Sequence, residues 1–356
     1  MKILSVASAL PPRTYSQQEI TAALTRIWAD QLPRPALLQR LHANCGVSNR
    51  HLTLDIDHYE KMTGFGDANT RWIEAAVEFG GEAVRKAVAA AGLAMEDLGA
   101  IFFVSVTGIA NPSVDARLVN TLGLSRNIKR IPIFGLGCVA GAAGLARAAD
   151  YVRAFPKQYA VLLSVELCSL NWQFGDASTA NMIATGLFGD GAAAVILAGD
   201  KTPQEGMNLP GSALRIIDTR SVFYPGTEDT MGWDISEDGF RILLSPNVPE
   251  VIKANLRGDM DAFLADYSLT RSDIASWIVH TGGPKVLQAI ETTLELPPDA
   301  LKASWNSLNN IGNLSSASVL MILEETLREN RQPAGSYSVL SAMGPGFCSE
   351  FLLLQW

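Results

Sequence analysis

The stretch Ile131-Pro-Ile-Phe-Gly-Leu-Gly-Cys138-Val-Ala-Gly-Ala-Ala-Gly-Leu145 decides the fold of this chain. An apolar run breaks at glycines and continues into an alanine-rich stretch, which predicts a buried strand turning directly into a helix with Cys138 at the turn. The first turn of a helix has unpaired N–H groups and a partial positive charge, and both favour a thiolate. Cys138 is therefore either a nucleophile of lowered pKa or, like many free cysteines, a small buried residue.

Composition narrows the class of protein. The chain has 356 residues, of which 48% are hydrophobic and 18% charged, enough for a large core. Its net charge of −8 argues against nucleic-acid binding, which needs a basic face. No apolar run approaches the ~18 residues of a membrane span, and residues 1–10 are more typical of a first core strand than of a signal peptide. We therefore expect a cytoplasmic protein.

Cysteine and histidine spacing predicts no metal centre. The four cysteines are scattered without a CxxC pair, so neither a disulfide scaffold nor a zinc ribbon is indicated. His42, Cys45, His51 and His58 do cluster in the sequence. Their irregular spacing and polar surroundings favour a surface loop over a metal site.

Strand-like and helix-like segments alternate along the whole chain, which predicts an α/β fold. Two sequential halves, residues 1–205 and 206–356, repeat the scheme and indicate a pseudo-duplicated fold rather than two independent domains. The region 224–237 is polar and glycine-bearing and predicts a loop or hairpin. The predicted strands are 1–10, 100–106, 128–134, 159–165, 188–198 (with a glycine turn at its start), 274–279, 338–343 and 351–354, and the predicted helices are 17–40 (interrupted around Pro33 and Pro35), 69–93, 113–122, 138–154, 248–266 and 283–295.

Two residues of the second half are candidate partners for the thiol. His280 ends the apolar strand of Ser276-Trp-Ile-Val-His280-Thr-Gly-Gly-Pro284, and strand ends are where open α/β sheets place ligands. It is either a hydrogen-bonded histidine at a strand end or an imidazole that assists a thiolate. Asn313, before Leu-Ser-Ser-Ala and a helical run, is either an N-cap or a donor to an oxyanion.

Five motifs in order along the chain resemble those of the type III polyketide synthases, the chalcone synthase-like enzymes. They are Gly137-Cys138, Phe188-Gly-Asp-Gly, His280-Thr-Gly-Gly-Pro, Gly312-Asn313-Leu-Ser-Ser-Ala and Gly344-Pro-Gly346. The resemblance implies a thiolase-like αβαβα five-layer fold and a homodimer. It also implies a buried acyl cavity reached by a coenzyme A tunnel, with an acyl-CoA starter and malonyl-CoA as substrates and no metal or organic cofactor.

The same resemblance assigns roles. Cys138 would anchor the acyl chain, and His280 and Asn313 would stabilise the enolate formed when malonyl-CoA loses carbon dioxide. Phe188 would stand where the tunnel meets the cavity and keep that step dry. Lys285 and Arg50 are our candidates for binding coenzyme A phosphates, since a basic tunnel mouth is expected despite the acidic total charge.

Departures from the plant pattern carry information about the substrate. Ile242 stands where the plant enzymes have a second phenylalanine, and Asn111 where they have a methionine that crosses the dimer interface. Val106 occupies a position that is often threonine in plant enzymes and cysteine in the naphthalene-forming bacterial ones.

Because valine cannot hydrogen-bond, we do not expect the plant-type water network with Glu166 and Ser315. A mainly aliphatic cavity predicts a fatty acyl-CoA starter and an alkylpyrone or alkylresorcinol product.

Two alternatives remain open from the sequence alone. A ketoacyl synthase III-like enzyme shares the Cys-His-Asn logic but takes its extender from acyl carrier protein and usually has His-Gln-Ala-Asn at the position of His280. A nucleotide-binding oxidoreductase would explain the Gly-x-Gly-x-x-Ala match at 135–140, with Glu166 ending the next strand. It would leave His280 and Asn313 without a role.

Overall fold

The computed structural model of the protein describes residues 1–30, 35–203 and 214–356. Within these ranges there are thirteen strands and eleven α-helices. The strands are β1 (Lys2–Ala9), β2 (Arg13–Ser16), β3 (Asn49–Leu52), β4 (Leu98–Val104), β5 (Lys129–Ile133), β6 (Tyr159–Leu167), β7 (Asp190–Ala198), β8 (Leu214–Phe223), β9 (Met231–Ser236), β10 (Gly239–Leu244), β11 (Ile274–Val279), β12 (Tyr337–Gly344) and β13 (Cys348–Gln355). The helices are α1 (Gln17–Ile27), α2 (Pro35–Ala43), α3 (Ile56–Tyr59), α4 (Phe65–Ala90), α5 (Val114–Leu122), α6 (Ala140–Ala154), α7 (Thr179–Leu187), α8 (Val248–Ala265), α9 (Pro284–Leu294), α10 (Lys302–Ile311) and α11 (Ser316–Glu329).

A mixed sheet of nine strands runs through the molecule in the order β11-β12-β13-β8-β1-β7-β6-β4-β5. Its two halves meet where β1 pairs with β8 over two residue pairs, Lys2 with Arg215 and Ile3 with Leu214. The outer strands of each half run parallel, β4 with β5 and β6 on one side and β11 with β12 on the other. The inner pairs of both halves are antiparallel. This repetition of strand order is the pseudo-duplication that the sequence predicts.

Helices α6 and α11 lie between the two halves of the sheet. Helix α6 contacts β4 and β6 on one side and β12 and β13 on the other, and α11 likewise contacts strands of both halves. Helix α4 covers the outer face of β1, β6 and β7, while α8 and α9 pack together against the outer face of the C-terminal half. The layers therefore follow the αβαβα order of a thiolase-like α/β fold.

Most predicted elements are confirmed. Strands β6 and β7 are buried at every position, as their continuous apolar sequences indicate. Region 224–237 contributes β9 and so begins a hairpin with β10. Sequence reasoning missed α7, α10 and β8, and the short elements β2, β3 and α3. The predicted boundary between residues 205 and 206 and the interruption at Pro33 both lie outside the described residues.

The two central helices approach each other closely at Gly141, near the start of α6. A Cβ atom added there would lie 2.1 Å from the main-chain oxygen of Ser316, the first residue of α11. Because that neighbour is backbone and cannot move aside, only glycine fits. In contrast, Gly258 in α8 is exposed and has no atom within 4 Å of an added Cβ.

We expect Gly141→Ala to lower the free energy of unfolding by about 1–3 kcal/mol, since overpacking forces the helices apart. The matched variant Gly258→Ala should raise it by up to ~1 kcal/mol, because alanine is the better helix former in open space. Chemical denaturation of both variants beside the wild type measures the difference. Equal stabilities of the two variants would contradict this account of the central layer.

Candidate active site

Cys138 lies in a 3₁₀ turn, Gly137–Val139, between β5 and α6. The preceding Gly137 has a φ of +53°, and a Cβ there would fall 2.6 Å from the ring of Pro345. Glycine is therefore required both for the backbone conformation and for the close approach of 344–346. The side chain of Cys138 is buried at the start of the helix, as the strand–turn–helix prediction has it.

Asn313 and Ser315 lie just before α11, next to the thiol. The Ser315 N–H donates to Asn313 Oδ1 at 2.8 Å, and the Cys138 thiol donates to the Ser315 hydroxyl with 3.5 Å between the sulfur and oxygen atoms. Ser315 has a φ of +46°, a conformation rare for residues with a side chain. Ser315, not Asn313, holds the N-cap position of α11. Within the described residues, Asn313 Nδ2 has no hydrogen-bond acceptor and is left for a ligand.

His280 follows β11 and is buried. Its main-chain N–H donates to the carbonyl of Ser341, while neither ring nitrogen has a hydrogen-bond partner within the described residues. Burial lowers the pKa of His280 to about 4, because the charged imidazolium would be poorly solvated. At neutral pH the ring is therefore uncharged, with one nitrogen able to donate and the other able to accept.

Four predicted residues, Cys138, Phe188, His280 and Asn313, line one pocket, whose walls are otherwise mainly apolar. Phe188 and Asn313 are also tied to each other by a β-bridge. In that bridge the Asn313 N–H donates to the carbonyl of Leu187 at 2.9 Å, and the Gly189 N–H donates to the carbonyl of Asn313 at 3.0 Å.

Phe188 also lines a second, smaller chamber, together with Ile242 from β10. Phe188 thus borders two separate spaces. The chamber includes residues that sequence reasoning missed, because they come from separate segments and no local spacing marks them. They are Cys168, Asn171, Trp172, Asn181, Ala184 and Trp233.

The expectation of a lowered pKa for Cys138 is wrong for the unliganded site. Burial raises the pKa of this thiol to about 12, and the negative charge of Glu166 acts in the same direction, while the hydrogen bond to Ser315 opposes it. Removal of the thiol from water therefore outweighs the helix N-terminus. Cys138 therefore rests as a thiol and not as a thiolate.

Glu166, in β6, is fully buried beside this site. Its Oε2 accepts from the Val106 N–H at 3.1 Å and from the Thr107 hydroxyl at 2.9 Å, and its Oε1 accepts from the Ser316 hydroxyl. Burial raises the pKa of Glu166 to about 7 despite these donors. Val106 binds Glu166 only through its backbone N–H. Ser315 accepts a hydrogen bond from Cys138 and makes none with Glu166.

The two basic candidates lie in different environments. Lys285 is exposed in the first turn of α9, five residues after His280. Arg50 is 0% exposed and donates to the carbonyls of Thr185 and Phe188. A guanidinium so enclosed does not reach a phosphate at a tunnel mouth, so the prediction for Arg50 is corrected to a role inside the protein.

The cluster of His42, Cys45, His51 and His58 is not a surface loop throughout, which corrects that interpretation. His42 is buried, with its Nδ1 2.8 Å from the Thr21 hydroxyl and its Nε2 3.1 Å from the carbonyl of Met182. Among the described residues no group of three or more His, Cys, Asp and Glu side chains is arranged to hold a metal ion. In the same ranges no helix has the length and apolarity needed to cross a bilayer.

A buried thiol, a neutral imidazole and a side-chain amide around one apolar pocket define an acyl-transferring enzyme of thiolase type. The model for the N-terminal domain of chalcone and stilbene synthases matches residues 1–201, and that for the C-terminal domain matches residues 216–356. The chain belongs to this family and is a type III polyketide synthase, an acyltransferase that catalyses decarboxylative condensation. The oxidoreductase and ketoacyl synthase alternatives are thereby set aside.

Individual relatives agree with this assignment. The chain is 46% identical to a 1,3,6,8-tetrahydroxynaphthalene synthase of Streptomyces peucetius subsp. caesius, covering 99% of this chain and 93% of the relative. It is 34% identical to a putative chalcone synthase of Bacillus subtilis (strain 168), covering 99% and 98%. The crystal structure of 1,3,6,8-tetrahydroxynaphthalene synthase from Streptomyces coelicolor A3(2) matches with a TM-score of 0.93 and 31% identity, covering 100% and 99%.

Because the thiol pKa is about 12 and His280 is neutral, alkylation of Cys138 by iodoacetamide should accelerate about tenfold per pH unit between pH 7 and 10, following the thiolate fraction. Peptide mapping by mass spectrometry follows Cys138 alone, with Cys138→Ala as the control. A rate that stays level from pH 6 to 8 would instead reveal a preformed thiolate–imidazolium pair.

Proposed function

We propose that the enzyme loads an aliphatic acyl-CoA starter on Cys138, extends it with malonyl-CoA and releases an alkylpyrone or alkylresorcinol. The observation that carries the choice of starter is the pocket around Cys138. It continues from the catalytic residues between α8 and α9, where Ile252, Leu256, Val286 and Ile290 form its walls. The pocket has about 40 Å³ of free volume in this structure and would widen to admit an alkyl chain, which would then bury apolar surface at about 0.8 kcal/mol per CH₂ group.

Loading begins with proton transfer from the Cys138 thiol to neutral His280, since the thiol does not ionise alone. The sulfur attacks the thioester carbonyl of the starter, a new S–C bond forms, and the bond to coenzyme A breaks. The departing coenzyme A thiolate takes the proton from His280, which returns to its neutral form. The acyl chain is then held as a thioester on Cys138.

Extension uses the same imidazole as a donor. The bond between the malonyl methylene carbon and its carboxylate breaks, carbon dioxide leaves, and the electron pair forms an enolate. His280 N–H and Asn313 Nδ2–H donate to the enolate oxygen, where an apolar setting makes each hydrogen bond stronger than in water. The enolate carbon attacks the Cys138 thioester and releases the sulfur, to which the longer chain can return. These steps need no reagent other than the two coenzyme A thioesters.

The second chamber has room for little more than a single oxygen atom in this unliganded structure, so it could take one ketone oxygen of the growing chain. Trp172 is buried there, and its indole N–H has no acceptor within the described residues. A ketone oxygen of a polyketide intermediate would satisfy this donor, which an alkyl chain cannot do. Phe188 separates the two spaces, so the alkyl and oxo portions of one intermediate would occupy different surroundings.

A second candidate, condensation of malonyl units alone to a naphthalene product, is favoured by the 46% identical tetrahydroxynaphthalene synthase. Val106 speaks against it, because a cysteine is expected at this position in naphthalene-forming enzymes. The wholly apolar end of the first pocket would also have no role with such a substrate.

We propose that Lys285 binds coenzyme A phosphate, since it is an exposed cation on the same segment as His280. We also propose a homodimer formed around Asn111. This residue lines a groove with Ile109 and Phe134, whose side chains are 46% and 50% exposed. A partner subunit would cover these apolar side chains.

Mass spectrometry of products tests the proposal. Wild type and Cys138→Ala each receive malonyl-CoA with acetyl, benzoyl, octanoyl or palmitoyl-CoA. We expect pyrone or resorcinol masses with the aliphatic starters, which vanish in the variant because no thioester can form. A single product independent of the starter would establish the naphthalene alternative, and a strong preference for benzoyl-CoA would overturn the aliphatic starter.

Ile290 in α9 tests where the alkyl chain lies. Ile290→Phe should shorten the longest starter accepted, and Ile290→Ala should lengthen it, because the two changes fill and open the same end of the pocket. Competition between starters of different length measures the shift, with exposed Gln288→Ala on the same helix as the control. Unchanged chain-length preference in both Ile290 variants would place the chain elsewhere.

A further inference from the structure

Arg50, in the short strand β3, is the residue whose surroundings the reaction steps above leave unexplained. Its guanidinium is fully buried and donates from Nη1 to the carbonyls of Thr185 and Phe188, the latter at 3.1 Å. From Nη2 it donates to Gln17 Oε1 at 2.6 Å. Within the described residues no carboxylate lies within ion-pair distance of it, since Asp190 accepts instead from Thr53 and Ser169. A buried cation without an ion-pair partner costs free energy.

The charged guanidinium of Arg50 lies at the C-terminal end of helix α7. The last carbonyls of a helix have no partner inside it and carry partial negative charge. Here the carbonyls of Thr185 and Phe188 accept from Arg50, that of Gly186 accepts from Gln17 Nε2 at 2.7 Å, and that of Leu187 accepts from the Asn313 N–H. Each carbonyl oxygen from residue 185 to residue 188 therefore accepts a hydrogen bond, and Arg50 is the donor to two of the four.

The aliphatic stem of Arg50 touches the other side of the Phe188–Asn313 bridge. A Cβ added to Gly312 would lie 3.0 Å from Arg50 Cγ, and one added to Gly189 would lie 3.5 Å from the same atom. The side chain therefore packs against the residues that flank both members of the bridge. The atoms nearest to Gly189 and Gly312 include none of Cys138, whose hydrogen-bond partner is Ser315.

We propose that Arg50 is a positioning residue for malonyl decarboxylation, which holds the Phe188–Asn313 bridge so that the Asn313 amide meets the enolate oxygen. The inference rests on the proposed enolate step. This role would affect only one of the two half-reactions. Arg50 supports the residues that act on malonyl-CoA in decarboxylation, and it leaves acyl loading of Cys138 unchanged. Burial lowers the pKa of Arg50 to about 10, so it remains a cation at neutral pH.

The test compares Arg50→Met, Arg50→Lys and Gln17→Met with the exposed control Arg26→Met, whose side chain is 62% exposed. Intact-mass kinetics measure acyl loading of Cys138, release of acetyl-CoA from malonyl-CoA measures decarboxylation, and circular dichroism measures the folded fraction. Per folded molecule, Arg50→Met should lower kcat for decarboxylation by about 10- to 100-fold, as for a misplaced catalytic group, with loading within about twofold of wild type.

Arg50→Lys should recover part of this loss, because an ammonium can bind the Phe188 carbonyl but cannot span all three acceptors. Gln17→Met should show a smaller loss in the same direction, and it carries the test if Arg50→Met does not fold. Loading and decarboxylation that fall in equal proportion, or decarboxylation that stays unchanged in the folded variants, would overturn the inference. A wild type that does not decarboxylate malonyl-CoA would instead overturn the proposed function itself.

Discussion

The close contact between α6 and α11 is the constraint on which the rest of the structure depends. Where Gly141 meets the backbone of Ser316, the two central helices begin side by side. Cys138, two residues before α6, and Ser315, one residue before α11, are consequently neighbours although 177 positions separate them in the chain. The thiol of one half and the Asn313 and Ser315 side chains of the other thus meet at a single point between the two halves of the sheet.

Exclusion of water sets the protonation state of the site. The thiol of Cys138 stays protonated, the imidazole of His280 stays neutral, and Glu166 titrates near pH 7, all because charge is costly where water is absent. A thiol and an imidazole that both rest uncharged suit chemistry in which negative charge on the reacting groups appears only with the substrate. In the proposed mechanism the donors of this site would act at full strength on the enolate, since no water competes for it.

Local sequence predicted the elements that carry local signals. The strand, glycine turn and helix around Cys138 and the strand end at His280 follow from apolar runs and glycines, and the motif order indicated the family. Arg50 could not be placed in this way, because its polar neighbours in a short strand are typical of a surface, while its acceptors come from residues 17 and 185–188. The sequence also could not predict the direction in which the pKa of Cys138 is shifted. The helix N-terminus is a local feature, whereas desolvation depends on every segment packed around the thiol.

The Phe188–Asn313 bridge joins the first half of the chain to the second, and this has a consequence for how such enzymes can diversify. Cys138 and Phe188 are inherited with one half, and His280 and Asn313 with the other. A recombinant gene that exchanges halves between relatives would keep each residue of the site yet re-pair two surfaces that had not evolved together. Such a chimaera would be active only if α6 packs against α11, and residue 188 pairs with residue 313, as closely as in this protein. Activity therefore depends on the two halves being inherited together.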